Sequence, residues 1–148
     1  MQRILFLIFI TFTLPVYSAQ SIQLKNFSGV DFSTGNKFDF KQYKGKVVYL
    51  DFWASWCTPC LKSLPFMQKL YQEQAKNGFE IIAINIDENK ADAEKFLKNH
   101  PISYTNLYDP KGKIGKKLRV KQMPTAFLFD KQGNLQLKHI GFNQQYSK

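Results

Sequence analysis

The sequence predicts an α/β fold of three layers, a sheet held between helices, and three observations lead there. Val47-Val48-Tyr49-Leu50-Asp51-Phe52-Trp53 is a β-branched and aromatic run of the kind that fills a strand buried on both faces. Apolar residues at helical spacing follow it, and then a second apolar run; strand, helix, strand alternation gives parallel neighbours with helices packed on the sheet. The chain has 148 residues, 44% of them hydrophobic and 16% aromatic, which is the length and content of one packed domain.

The start of the chain is read separately. Met1-Gln2-Arg3 is a short positive start and Ile4 to Leu14 is nearly all apolar, too short for the roughly 20 residues a spanning helix needs. Pro15 and the small residues Ser18 and Ala19 then supply a cleavage region, so residues 1–19 are expected to be an export signal and 20–148 the domain. Retention by an uncleaved N-terminal anchor is the alternative. The expected destination is the periplasm or another exported location.

Within the domain, Ile22 to Phe40 alternates polar and apolar residues about Ser33-Thr34-Gly35-Asn36, which predicts a β-hairpin. Lys44-Gly45-Lys46 closes a loop, and Val47–Trp53 is the central strand, with Asp51 its anomaly. Leu61, Leu64, Met67, Leu70 and Tyr71 predict a helix kinked at Pro65 and stopped by Asn77-Gly78. Next come a strand over Phe79–Ile86, a helix over Ala91–Lys98 with Asn89 and Asp92 placed for capping, and a strand over Ser103–Tyr108. Asp109-Pro110 opens a short helical or turn segment. Thr125–Asp130 and Leu135–Ile140 pair through Lys131-Gln132-Gly133-Asn134. Too few residues follow for the helix that would cover this end of the sheet, so the C-terminal helix is expected to be short or missing.

The chemistry centres on Trp56-Cys57-Thr58-Pro59-Cys60. The two cysteines are too close in sequence to staple distant segments, and so small a loop constrains the unfolded chain little, so the pair reads as reactive and not structural. The attacking species is a thiolate, and a free thiol is mostly protonated at neutral pH. Cys57 falls at a strand-to-helix junction, where unpaired N–H groups and the helix dipole stabilise an anion. Thr58-Pro59 sets the turn without losing a needed donor. Cys57 then attacks a substrate disulfide and Cys60 resolves the mixed disulfide. Asp51 is expected to take the proton of Cys60, directly or through water; a carboxylate bonded to nearby backbone is the alternative. Trp56 reads as an apolar docking surface beside the nucleophile.

Asp51-Phe52-Trp53-Ala54-Ser55-Trp56-Cys57-Thr58-Pro59-Cys60 with Pro65, joined by Met123-Pro124-Thr125, resembles the thioredoxin superfamily and, within it, the exported TlpA/ResA-like thiol–disulfide oxidoreductases. The resemblance covers roughly Phe27 to Gly141. It implies a thioredoxin-like fold in which Glu88 to Val120 is a central helix–strand insertion. It implies a cis bond before Pro124, which costs about 0.5–1 kcal/mol, with Met123, Pro124 and Thr125 facing the substrate chain. It also implies a periplasmic reductant of protein disulfides, for example in cytochrome c maturation, with a membrane protein as electron donor. No cofactor beyond the Cys57–Cys60 disulfide is expected, nor a metal, and the protein is expected to be a monomer. Two departures stand out: Ser63 occupies a position that is often acidic in that group, and Ala83 stands where thioredoxin itself has a lysine beside its buried acid.

Other function classes fit less well. The net charge of +10 invites a nucleic-acid reading, but the lysines are scattered, and the dense stretch Lys111, Lys113, Lys116, Lys117, Arg119, Lys121 lacks interleaved aromatics. A peroxiredoxin would need Pro-x-x-x-Thr/Ser-x-x-Cys, which Leu50, Trp53 and Ala54 break. A Cu(I) module would use Cys57 and Cys60 with His100 or His139 as a third ligand.

Overall fold

The computed structural model describes residues 22–143. The expected export signal lies outside the described residues, as does most of the stretch after the last strand. Seven strands and three α-helices follow in the order β1 (Ser28–Val30), β2 (Lys37–Asp39), β3 (Val47–Trp53), α1 (Thr58–Gln74), β4 (Phe79–Asn85), α2 (Lys90–Asn99), β5 (Thr105–Tyr108), α3 (Lys113–Lys117), β6 (Thr125–Phe129) and β7 (Leu135–Ile140). The central sheet has the order β5-β4-β3-β6-β7. β3, β4 and β5 run parallel, and β6 and β7 add antiparallel strands beside β3. This is the thioredoxin-like α/β fold, with α2 and β5 forming the expected insertion.

Strand alternation divides the core in two. Val48, Leu50 and Phe52 of β3 face one way, with Ile82, Ile84, Leu107, Phe127 and Phe129, and are covered by Leu24, Phe27 and Phe40 and by Ile114 and Leu118 around α3. Trp53 faces the other way with Ile81 and Ala83, under Cys60, Leu64 and Met67 of α1 and Ala93 of α2. Each fully buried large side chain of this kind is worth about 1.5–3 kcal/mol, so β3, buried throughout its second half, anchors both layers. The site is built on the end of that strand.

Local chemistry explains the boundaries. α1 runs unbroken through Pro65, whose missing N–H removes one donor without ending the helix. It passes through a 3-10 turn to Gly78, whose φ of 78° places it in the left-handed region that terminates helices. Asn89 caps α2 by accepting from Ala91 N at 3.2 Å. The Asp109 carboxylate accepts from Lys113 N and Ile114 N, each at 2.8 Å, and so starts α3.

The N-terminal hairpin is smaller than the alternation predicts. Only three residues pair on each side, in a sheet of their own, between 3-10 turns at Leu24–Asn26 and Phe40–Tyr43. Leu24, Phe27 and Phe40 are inserted into the core from those turns, which removes them from a strand's alternation. Its connection is organised by Asp31, which accepts from Ser33 N and Thr34 N. At the other edge β7 is largely exposed, Leu137 to 53%. Phe142, just beyond it, packs against Phe66 of α1 with ring centroids 5.9 Å apart.

Candidate active site

Cys57 and Cys60 are joined as a disulfide with Cα atoms 5.2 Å apart. Cys57 is the N-cap of α1, and its sulfur accepts from Cys60 N at 3.3 Å. Thr58 and Pro59 open the helix, so the proline occupies a position whose N–H would have no intrahelical partner. The Cys57 sulfur thus sits where the first-turn amides and the helix dipole favour an anion. Cys60 is fully buried and Cys57 nearly so, whereas the neighbouring Trp56 is 64% exposed.

The approach to Cys57 is held by a residue that sequence reasoning missed. Asp87, 2% exposed, lies just past β4 and accepts from Ser55 N and Ser55 Oγ, both at 2.9 Å. It also accepts from Asn85 Nδ2 at 2.7 Å, and Asn85 Oδ1 in turn accepts from Asp87 N at 3.2 Å. A buried carboxylate therefore ties the end of β4 to the loop that presents Trp56 and Cys57. The one trace of it in the sequence is the polar pair Asn85 and Asp87 closing an apolar strand. Beside Trp56 opens a cleft of about 710 Å³, with Phe52, Ile86 and Val120 as apolar lining. Glu88 and Asp92 line it from the α2 side, and Lys111 and Lys116 from the α3 side.

Asp51 lies on β3, the strand that leads into the motif, and lines a different cavity from Asp87. It is 3% exposed, and among the described residues its Oδ2 has no hydrogen-bond partner, so that oxygen is not tied to nearby backbone. Ala83 is its cross-strand partner on β4, with no cation opposite. Burial without compensation penalises the charged form and pushes the carboxyl up to about 7. Asp51, Ser63 and Pro124 line one cavity of about 210 Å³ between α1 and the β3-β6-β7 side of the sheet. Ser63 Oγ donates to Cys60 O at 3.1 Å, a link from the cavity wall to the second cysteine.

The Met123–Pro124 bond is cis. Pro124 O accepts from Gly141 N at 2.8 Å, and buried Thr125 donates through Oγ1 to Gln122 O at 2.7 Å. Met123 is half-buried and packs against both halves of the core. The two histidines are not brought to the cysteines. His100 stacks on Phe96 at the end of α2, with ring centroids 4.4 Å apart, and His139 is on β7. Among the described residues no three His, Cys, Asp or Glu side chains form a metal-ligand group.

Comparison with known proteins fits this geometry. Residues 18–147 match the Redoxin family. The chain belongs to that family. This Redoxin is 40% identical over 101 residues to the thiol-disulfide oxidoreductase ResA of Bacillus thuringiensis subsp. konkukian, an alignment covering 68% of this chain. It spans 58% of the length of that curated relative. Its fold superposes with a TM-score of 0.80 on the crystal structure of a Chlorobium tepidum protein described as thiol:disulfide interchange protein DsbE, at 38% identity, covering 86% of this chain and 89% of that one. The exposed lipoprotein thioredoxin Etrx1 of Streptococcus pneumoniae follows at a TM-score of 0.69 and 31% identity, covering 82% of this chain and 93% of that one.

Proposed function

We propose that this Redoxin is an exported thiol–disulfide oxidoreductase that exchanges disulfides with protein clients through Cys57 and Cys60. The observation that carries the reading is the Cys57 sulfur at the N-cap of α1, bonded to a fully buried Cys60 one turn further in. In the reducing direction the Cys57 thiolate attacks a client disulfide, forming a Cys57–client bond and releasing one client thiolate. The Cys60 thiol gives its proton to Asp51, and its sulfur attacks Cys57. The Cys57–Cys60 bond forms, the Cys57–client bond breaks, and the client leaves with two thiols once its sulfurs take protons from solvent. Trp56, Met123, Pro124 and Thr125 hold the client chain beside the disulfide, and Thr58-Pro59 keeps the helix start in place.

The relatives' names support the exchange chemistry, and the exposed pneumococcal lipoprotein supports work outside the cytoplasm. Export itself rests on the reading of residues 1–19, with an uncleaved anchor as the other route. Among the described residues no helix is long and apolar enough to cross a membrane. The direction we assign is reductant, with electrons from a membrane donor and a client such as apocytochrome c. Equilibration with glutathione tests it: a reductant poises towards the about −270 mV end of the range for such pairs, and a value near −120 mV overturns the direction. Cys60→Ser, which stalls at the mixed disulfide, is expected to accumulate covalent client adducts through Cys57. Peroxide consumption without any disulfide substrate would replace this reading with a peroxidase.

A further inference from the structure

We propose that His139 is the solvent-side relay for the Cys60 proton, exchanging it with Asp51 through water held in the cavity that the two residues share. The inference rests on the exchange mechanism above and adds the path by which a buried acid communicates with solvent. Asp51 pairs with Ala126 across β3 and β6, and Ala126 pairs with His139 across β6 and β7. Paired residues project to the same face, so Asp51, Ala126 and His139 form one row, with about 10 Å between the outer backbones. The middle residue carries only a methyl group. Above it lies the cavity of about 210 Å³, lined by Asp51 at one end and His139 at the other. That is room for several waters.

Among the described residues lining the cavity the titratable ones are Tyr49, Asp51 and His139; α1 contributes Ser63, Phe66 and Met67, and the chain beyond β7 contributes Gly141, Phe142 and Asn143. Burial raises the Tyr49 phenol far above neutral pH, and Tyr104, which also feels the Asp51 charge, is raised in the same way. Lys138, next to His139, turns to the other face, where its Nζ bonds Arg119 O and lies over Phe127. His139 is exposed, so it meets solvent where Asp51 does not. Imidazole accepts a proton at one nitrogen and releases one from the other.

Above about pH 7 Asp51 is ionised, and when Cys60 attacks Cys57 the Cys60 proton moves to it, giving the neutral acid. Below about pH 7 the carboxyl is already the neutral acid before the attack and takes no further proton, so the Cys60 proton leaves without it and the relay is idle. Above it the proton leaves through cavity water to His139 and then to bulk, and an equal proton returns by the same route on re-reduction. The relay therefore limits repeated turnover at alkaline pH alone, and it leaves the equilibrium untouched.

The test is insulin-disulfide reduction driven by dithiothreitol, at pH 6 and pH 8, with His139→Ala, His139→Gln and Asp51→Asn. At pH 8 both His139 variants are expected to turn over roughly tenfold more slowly, less than the 10²–10⁴ lost with a whole general base. They are expected to match the wild type at pH 6 and in a single turnover, to recover with added imidazole, and to keep the same reduction potential. His139→Ala is expected to have no further effect in Asp51→Asn. A wild-type rate for the His139 variants at pH 8 overturns the relay, as does equal slowing at both pH values, absence of imidazole rescue or a shifted potential. If Asp51→Asn itself turns over like the wild type, the Asp51 step fails instead, which separates the two failures.

Discussion

Asp51 and Asp87 lie on or just beyond adjacent parallel strands and are buried to the same degree, 3% and 2% exposed. Asp87 spends its oxygens on two donors from Ser55 and one from Asn85. Asp51 has an oxygen with no donor among the described residues and a neutral Ala83 opposite. Burial is therefore not what distinguishes an acid–base group from a structural one here; the supply of hydrogen-bond donors is. A carboxylate that receives donors acts as a clamp, and one that receives too few protonates near neutral pH.

Removing the clamp has the largest expected effect on stability. Asp87→Ala strands the Ser55 N–H and the Asn85 amide in a buried setting and should cost about 3–5 kcal/mol, read from urea unfolding. A loss within 0.5 kcal/mol would place Asp87 in the same class as an ordinary surface carboxylate and dissolve the comparison.

Asp51→Asn is expected to act with the opposite sign. Burial pushes the folded-state carboxyl up to about 7, well above the ordinary carboxylate range, so above pH 7 folding carries the full cost of a buried charge; as pH falls from 7 towards 4 the native state binds the proton first and the cost disappears. The variant should be more stable than the wild type by roughly 2–4 kcal/mol at pH 8 and no more stable near pH 4. Unfolding free energies at the two pH values measure this, and a variant destabilised at pH 8 would mean that unseen donors compensate Asp51. The smallest effect on stability belongs to Trp56→Ala. A ring 64% exposed contributes within about 0.5 kcal/mol, while KM for a protein disulfide rises and that for a small disulfide does not. Equal changes in both would remove Trp56 from client docking.

How much of this was legible in the sequence follows from how local each feature is. Val47–Trp53 carries its own signature as a buried strand, and α1, α2 and the β6–β7 hairpin are marked by spacing, caps and turn residues, so they stand where the pattern puts them. The N-terminal hairpin shrank because alternation cannot tell a strand from turns that peg Leu24, Phe27 and Phe40 into a core built by later residues. Asp51 drew notice as an acid in an apolar run. Asp87 did not, since a polar residue after a strand reads as loop, and two of its hydrogen bonds come from Ser55, 32 positions away. The row from Asp51 to His139 depends on two strand registers and on the small size of Ala126 between them, and no stretch of sequence displays it.

The proton-carrying role of Asp51 can be observed directly by infrared difference titration of the oxidised protein, following the carbonyl band of a protonated carboxyl that Asp51→Asn removes. The structure predicts a band that disappears with a midpoint near pH 7. A band that persists in Asp51→Asn, or a midpoint in the ordinary carboxylate range near 4, would contradict it.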